Sequence, residues 1–159
     1  MISQDQWRKL SKKENKEKDR YILIYGFNRQ KDVFEYARLK AKEKGCKVFS
    51  VNTHIEDFFN KTDKYFWNVS PEKFINLIEN AEMVITNSFH GLAFSIIFNK
   101  EVKLFLKKGG ANSRMKDLLK DLLIEEIVDD NSYTINYEIV NNRLKELKKN
   151  SYEFLKSII

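Results

Sequence analysis

Residues 84–98 read VITNSFHGLAFSIIF, an apolar run interrupted by Thr86, Asn87, Ser88, His90 and Gly91. His90 can give or take a proton near neutral pH, because the ordinary imidazole pKa lies there. Asn87 and Ser88 add short hydrogen-bonding side chains, and Gly91 permits close backbone approach. If the run is a strand followed by a helix, this polar knot falls at the helix N-terminus. The first backbone N–H groups of a helix lack partners and carry partial positive charge, so they attract an anion. Phosphate, phosphoenol and carboxylate groups all suit such a place. Arg29 and Arg114 could add charge-assisted hydrogen bonds to the same anion. A plainer reading stands beside this one: Asn or Ser before a helix is commonly a cap, and a first-turn histidine is commonly structural.

Other chemistries find less support. There is no G-x-G-x-x-G after the first strand and no G-x-x-x-x-G-K-[ST] anywhere. His54 lies near Glu56 and Asp57, but one histidine with two carboxylates is a poor zinc signature and reads as a solvated loop. The single cysteine, Cys46, excludes an internal disulfide and reads as a small buried hydrophobe. Aromatic residues make up 13% of the chain and mostly sit at core spacings. YFWN at 65–68 could offer a sugar-stacking face, with core burial the competing reading.

Something must hold the knot in place, and the chain supplies a regular rhythm. YILIY (21–25), CKVFSV (46–51), KYFWN (64–68), EMVIT (82–86) and EVKLFL (101–106) read as strands, and EEIVDD (125–130) as a short sixth. DVFEYARLKAKEK carries Val33, Tyr36, Ala37 and Ala41 at helical spacing. HIEDFF (54–59) reads as one helical turn. SPEKFINLIENA has Ser70 as cap, Pro71 at the first helical position, and Phe74, Leu77, Ile78 and Ala81 on one face. GLAFSIIFN and SRMKDLLKDLL follow as helices. A long helix over 137–157 bears Val140, Leu144, Leu147, Phe154, Leu155 and Ile158. Alternating strands and helices imply crossover connections and a mostly parallel sheet of about six strands. The expected fold is a Rossmann-like three-layer α/β/α sandwich. In the common doubly wound order, strands 1 and 4 are neighbours and ligands bind at their carboxyl ends. That places GFNRQ (26–30), with Asn28 and Arg29, opposite NSFHG (87–91).

Composition bounds the class. The chain has 159 residues, 42% hydrophobic and 33% charged, which suits one soluble domain. No apolar run approaches the roughly 20 residues that span a bilayer, and the N-terminus does not read as a secretory signal. The expected location is the cytoplasm. The net charge is +6, and residues 1–20 hold seven basic and four acidic residues. The excess therefore gathers in a short leader, read as a solvated basic linker with a helix started by the Ser3/Gln6 capping box and running to about Lys18. Nucleic-acid binding is not expected, since it needs a clustered basic face.

The stretch VSPEKFINLIENAEMVITNSFHGLAFSIIFNKEVKLFL resembles the polysaccharide pyruvyl transferase family, whose bacterial branches carry T-[DN]-S-F-H-G between a hydrophobic strand and an apolar F-S-I-I-F helix. SQDQWRKL…DRYILIYGFN is similar to that family's linker and the first strand of its C-terminal half, and NSRMKDLL to its following segment. The resemblance implies residues 1–20 as linker and 21–159 as the C-terminal, GT-B-like domain, with an N-terminal α/β half as its missing partner. It further implies pyruvate transfer from phosphoenolpyruvate to a sugar hydroxyl, giving a pyruvate ketal in cell-surface polysaccharide. No metal or organic cofactor is expected. His90 would be the acid/base or phosphate-contacting residue. Asn28, Arg29, Asn87, Ser88, Gly91 and Arg114 would bind substrate. Some branches place an arginine two residues before the histidine; here that position is Ser88. A lipid-linked acceptor would bring the protein to the inner membrane face, and a lone half would self-associate through its uncovered apolar surface. The rival readings are a GT-B glycosyltransferase half using a nucleotide-sugar, and an inactive remnant acting by association.

Overall fold

The computed structural model describes residues 3–26, 31–52, 62–106, 112–128 and 133–158. Its centre is a five-stranded, all-parallel sheet of order β3-β2-β1-β4-β5. The strands are β1 (Tyr21–Tyr25), β2 (Lys47–Asn52), β3 (Lys64–Trp67), β4 (Met83–Thr86) and β5 (Glu101–Leu104). The helices are α1 (Gln4–Ser11), α2 (Lys31–Lys44), α3 (Pro71–Asn80), α4 (Phe89–Ile97), α5 (Ser113–Leu122) and α6 (Tyr137–Ser157).

The continuous apolar strands follow from cover on both faces. Along β1, Tyr21 and Leu23 join a cluster with Phe49, Leu77, Val84 and Leu92, while Ile22 and Ile24 join Val33, Phe34, Ala37 and Met83. Helix α2 thus covers one face, and α3 and α4 the other. In α3 the Ser70 hydroxyl accepts from the Lys73 N–H at 3.1 Å, and Pro71 opens the helix where its missing N–H costs nothing. The three-layer Rossmann-like expectation therefore holds.

Several details differ from the sequence reading. Among the described residues there are five strands: Glu125–Ile127 form a short 3-10 helix. Ile124 and Ile127 are both buried, with exposed glutamates between them, a spacing of three that fits a tight helical turn and not strand alternation. Residues 129 and 130, and the turn expected over 54–59, lie outside the described residues. Cys46 is half-buried just ahead of β2, and burial pushes its thiol pKa up.

The leader is docked along one side, with Lys9, Lys12, Lys13, Lys16 and Lys18 exposed to solvent. Helix α1 starts at the expected capping box but stops at Ser11, which is buried and whose carbonyl accepts from the Asn76 amide at 3.1 Å. Trp7 packs edge-on against Phe94, with ring centroids 5.0 Å apart. Arg8 pairs with Glu79 at 3.3 Å, and Glu17 takes Lys64 at 2.5 Å and Lys73 at 2.7 Å. On α6, Val140 is buried and Leu144 and Leu147 pack on the core, but Phe154, Leu155 and Ile158 are exposed. The helix runs past the body that covers its first half.

Candidate functional site

Strands β1 and β4 are neighbours, with Tyr25 beside Thr86, so their carboxyl ends form the switch point where open α/β sheets bind ligands. Thr86 closes β4 and is fully buried. Its hydroxyl donates to the Tyr25 carbonyl at 2.8 Å and accepts from the Ser88 N–H at 3.0 Å. One oxygen thereby joins the end of β1, the end of β4 and the start of α4. Both hydrogen-bonding roles of the hydroxyl are filled, which is how a polar group is tolerated at that depth.

Gly91 completes the junction. A Cβ there would lie 2.3 Å from Thr86 Oγ1, 3.0 Å from its Cβ and 3.1 Å from its Cγ2. The missing side chain lets the first turn of α4 rest directly on Thr86. Asn87, 4% exposed, tucks against Gly26 at the end of β1. A Cβ on Gly26 would stand 2.5 Å from Asn87 Oδ1, and Gly26 adopts φ +98°. Glycine is needed there on both counts. Asn87 Oδ1 has no hydrogen-bond partner.

Ser88 is the N-cap of α4, extended at φ −101° and ψ 136°, yet its side chain makes no capping bond. The caps of α1, α3 and α6 do. The first-turn N–H groups of α4 are therefore left without a side-chain acceptor from the cap, on a surface where His90 is exposed. His90 stands edge-on to Phe89, with ring centroids 6.0 Å apart. Over the same Phe89 ring lies Arg114, its guanidinium carbon 5.8 Å from the centroid, a cation–π distance. Arg114 sits in the first turn of α5, another helix without a side-chain capping bond at its N-terminus. The N-terminus of α4, the guanidinium that Arg114 reaches across from α5, and His90 are thus gathered around Phe89.

Of the residues expected from sequence, Asn87, Ser88, His90, Gly91 and Arg114 come together at this edge. Gly91 turns its bare face to Thr86, and Arg114 arrives from a different helix. Asn28 and Arg29 lie outside the described residues, as do His54, Glu56 and Asp57. Among the described residues no group of three or more His, Cys, Asp or Glu side chains converges in a metal-binding arrangement. Two contributors do not stand out in the sequence. Thr86 reads there as one member of the polar knot and Gly26 as the start of the loop facing it, and neither is marked as a packing joint. The signal that could find them is a polar residue closing an otherwise apolar strand, five residues before a glycine.

A sequence profile of the polysaccharide pyruvyl transferase family matches residues 5–102, which takes in nearly all of α1, the start of β5 and the whole of the β4–α4 junction. Comparison with curated proteins gave no match.

Proposed function

The chain belongs to the polysaccharide pyruvyl transferase family, and from that premise we propose that the β4–α4 edge holds phosphoenolpyruvate while its pyruvyl group passes to a saccharide hydroxyl. The observation that carries this is the α4 N-terminus, whose cap Ser88 makes no side-chain capping bond, with the Arg114 guanidinium laid over Phe89 beside exposed His90. Phosphoenolpyruvate bears two anionic groups, a phosphate and a carboxylate. A helix N-terminus and an arginine offer fixed donors to both, and such donors need no reorganisation as charge shifts in the reaction.

The reaction balances without a redox step. A proton adds to the methylene carbon of phosphoenolpyruvate and makes it a methyl group. The neighbouring carbon, now electron-poor, takes one sugar oxygen. The C–O bond to phosphate breaks, and a second hydroxyl of the same sugar closes the ketal. Two hydroxyl protons are released, which match the proton gained by the methyl group and one taken up by the departing phosphate. Proton carriage of this kind is the work His90 is suited to. Anion binding and proton transfer suffice for these steps, so the proposal calls for no metal or organic cofactor.

In this reading the described chain supplies the donor-binding side, and an N-terminal α/β half closes over it. The test is incorporation of labelled pyruvate from phosphoenolpyruvate into a saccharide acceptor, with and without such a half supplied in trans. Loss of transfer in His90→Ala is expected. Full transfer by that variant would sink the assignment.

A further inference from the structure

Among the described residues, most of the large apolar side chains that are exposed sit on or just after helices: Leu39 on α2, Leu123 after α5, and five residues on or after α6. Trp67 is the exception. It is the last residue of edge strand β3 and is 46% exposed. Its neighbour Phe66 packs against Phe49 at 5.7 Å on the α3 side of the sheet. Strand alternation turns Trp67 to the other face. Asn68, at φ 47°, follows immediately and bends the chain away; asparagine is among the few residues that enter this left-handed region readily. The indole is thereby left at the tip of the strand.

That tip lies on the same edge of the sheet as the candidate site. Phe66, Val51, Tyr25 and Thr86 form one row across β3, β2, β1 and β4, and Trp67 is one residue beyond it. Three strand spacings separate Trp67 from Thr86, about 14 Å at the usual inter-strand distance. A single sugar does not span this gap, but an oligosaccharide laid along the edge does. An indole with one apolar face wet suits the C–H face of a pyranose, as it suits other half-apolar partners.

We propose that Trp67 is a stacking platform for a sugar unit remote from the reacting one, so that the protein prefers an oligosaccharide to a monosaccharide. This rests on the saccharide-acceptor reading above. It does not depend on pyruvyl chemistry, because the platform lies away from His90 and should work without phosphoenolpyruvate.

The experiment is binding of the full chain, phosphoenolpyruvate omitted, to an immobilised panel running from monosaccharides to longer oligomers. Retention of at least one oligomer above its monomer is expected. Trp67→Ala should weaken it about tenfold, the scale of one aromatic stacking contact with its buried area. Trp67→Phe should recover part of the loss, and Trp7→Phe, which alters the chain's other tryptophan, should change nothing. An exposed position makes unfolding by Trp67→Ala unexpected, and a circular dichroism spectrum checks it. Retention of no oligomer, or equal retention by Trp67→Ala, overturns the platform. Oligomer binding through Trp67 with no pyruvyl transfer would leave the platform standing and remove the proposed reaction. Active transfer with unaltered oligomer affinity in Trp67→Ala would do the reverse.

Discussion

Substituting Gly91 by alanine sets two physical effects against each other. Gly91 lies in the first turn of α4, and helix propensity alone favours alanine over glycine by about 1 kcal/mol. Packing opposes it. The new methyl would stand 2.3 Å from Thr86 Oγ1 and within 3.1 Å of two further Thr86 carbons. Ordinary carbon contacts are nearer about 3.5–4.0 Å, so α4 or Thr86 must move by roughly an ångström. Forced overpacking of this kind costs about 1–3 kcal/mol. If Thr86 is the part that yields, its bonds to Tyr25 and Ser88 go with it, at about 0.5–1.5 kcal/mol each. Against the propensity gain, a net loss of about 1–5 kcal/mol is expected for Gly91→Ala when Thr86 yields, read from the denaturant midpoint followed by circular dichroism. Thr86→Ala removes Oγ1 and Cγ2, leaving only the 3.0 Å contact. The double variant should therefore fall short of the summed single losses by about 1–3 kcal/mol, as contacting residues do. Stabilisation by Gly91→Ala, or strictly additive losses, would refute the direct seating of α4 on Thr86.

Other expectations follow from the same geometry. His90→Ala should lower pyruvyl transfer about 10²–10⁴-fold, the usual range for a lost acid/base group. It should leave stability within about 0.5 kcal/mol, since His90 is exposed. Arg114→Ala should raise the KM for phosphoenolpyruvate about tenfold, with Arg114→Lys a partial substitute only, because an ammonium does not reproduce the planar contact with Phe89. At Glu17, burial pushes the carboxyl pKa up, but hydrogen bonds and charge from Lys64 and Lys73 outweigh it and hold the pKa below the ordinary value. A depressed carboxyl adds stability above its unfolded pKa, about 4.3, and loses it as pH falls through the lower folded value. Acidification through that window should loosen residues 12–20 in NMR spectra, and Glu17→Gln should flatten the dependence.

Features encoded within a few residues are legible from sequence, and those created by distant partners are not. Ser70 and Pro71 mark the start of α3 because capping is local chemistry. The central strands β1, β2 and β4 announce themselves because each is covered on both faces. His90 stands out because a titratable group in an apolar run needs a reason. The seating of α4 is invisible, because Thr86 and Gly91 look unrelated until the helix turns one over the other. The docking of the leader is also hidden, since it depends on Asn76 reaching Ser11 across 65 positions. The apolar stripe of α6 misleads in the other direction. Periodicity tells which residues share a face, but not whether the body extends far enough to cover them, and Phe154 and Ile158 are left outside.

The departure at Ser88 becomes intelligible in the same terms. A branch of the family with arginine at this position would carry its cation on the capping residue of α4 itself. Here the cap is a half-buried serine without a capping bond. The positive charge enters instead from α5, where Arg114 is laid over Phe89, the residue next to Ser88. An arginine held by its own helix needs no neighbour to aim it. One borrowed from another helix depends on that helix's position, and α5 is fixed by buried Met115, Leu119 and Leu122 in the larger core cluster. The Phe89 ring then sets the direction of a guanidinium whose own side chain is exposed. In the proposed site, the anion-binding charge is therefore coupled to the packing of α5 in a way that an arginine in place of Ser88 would not require.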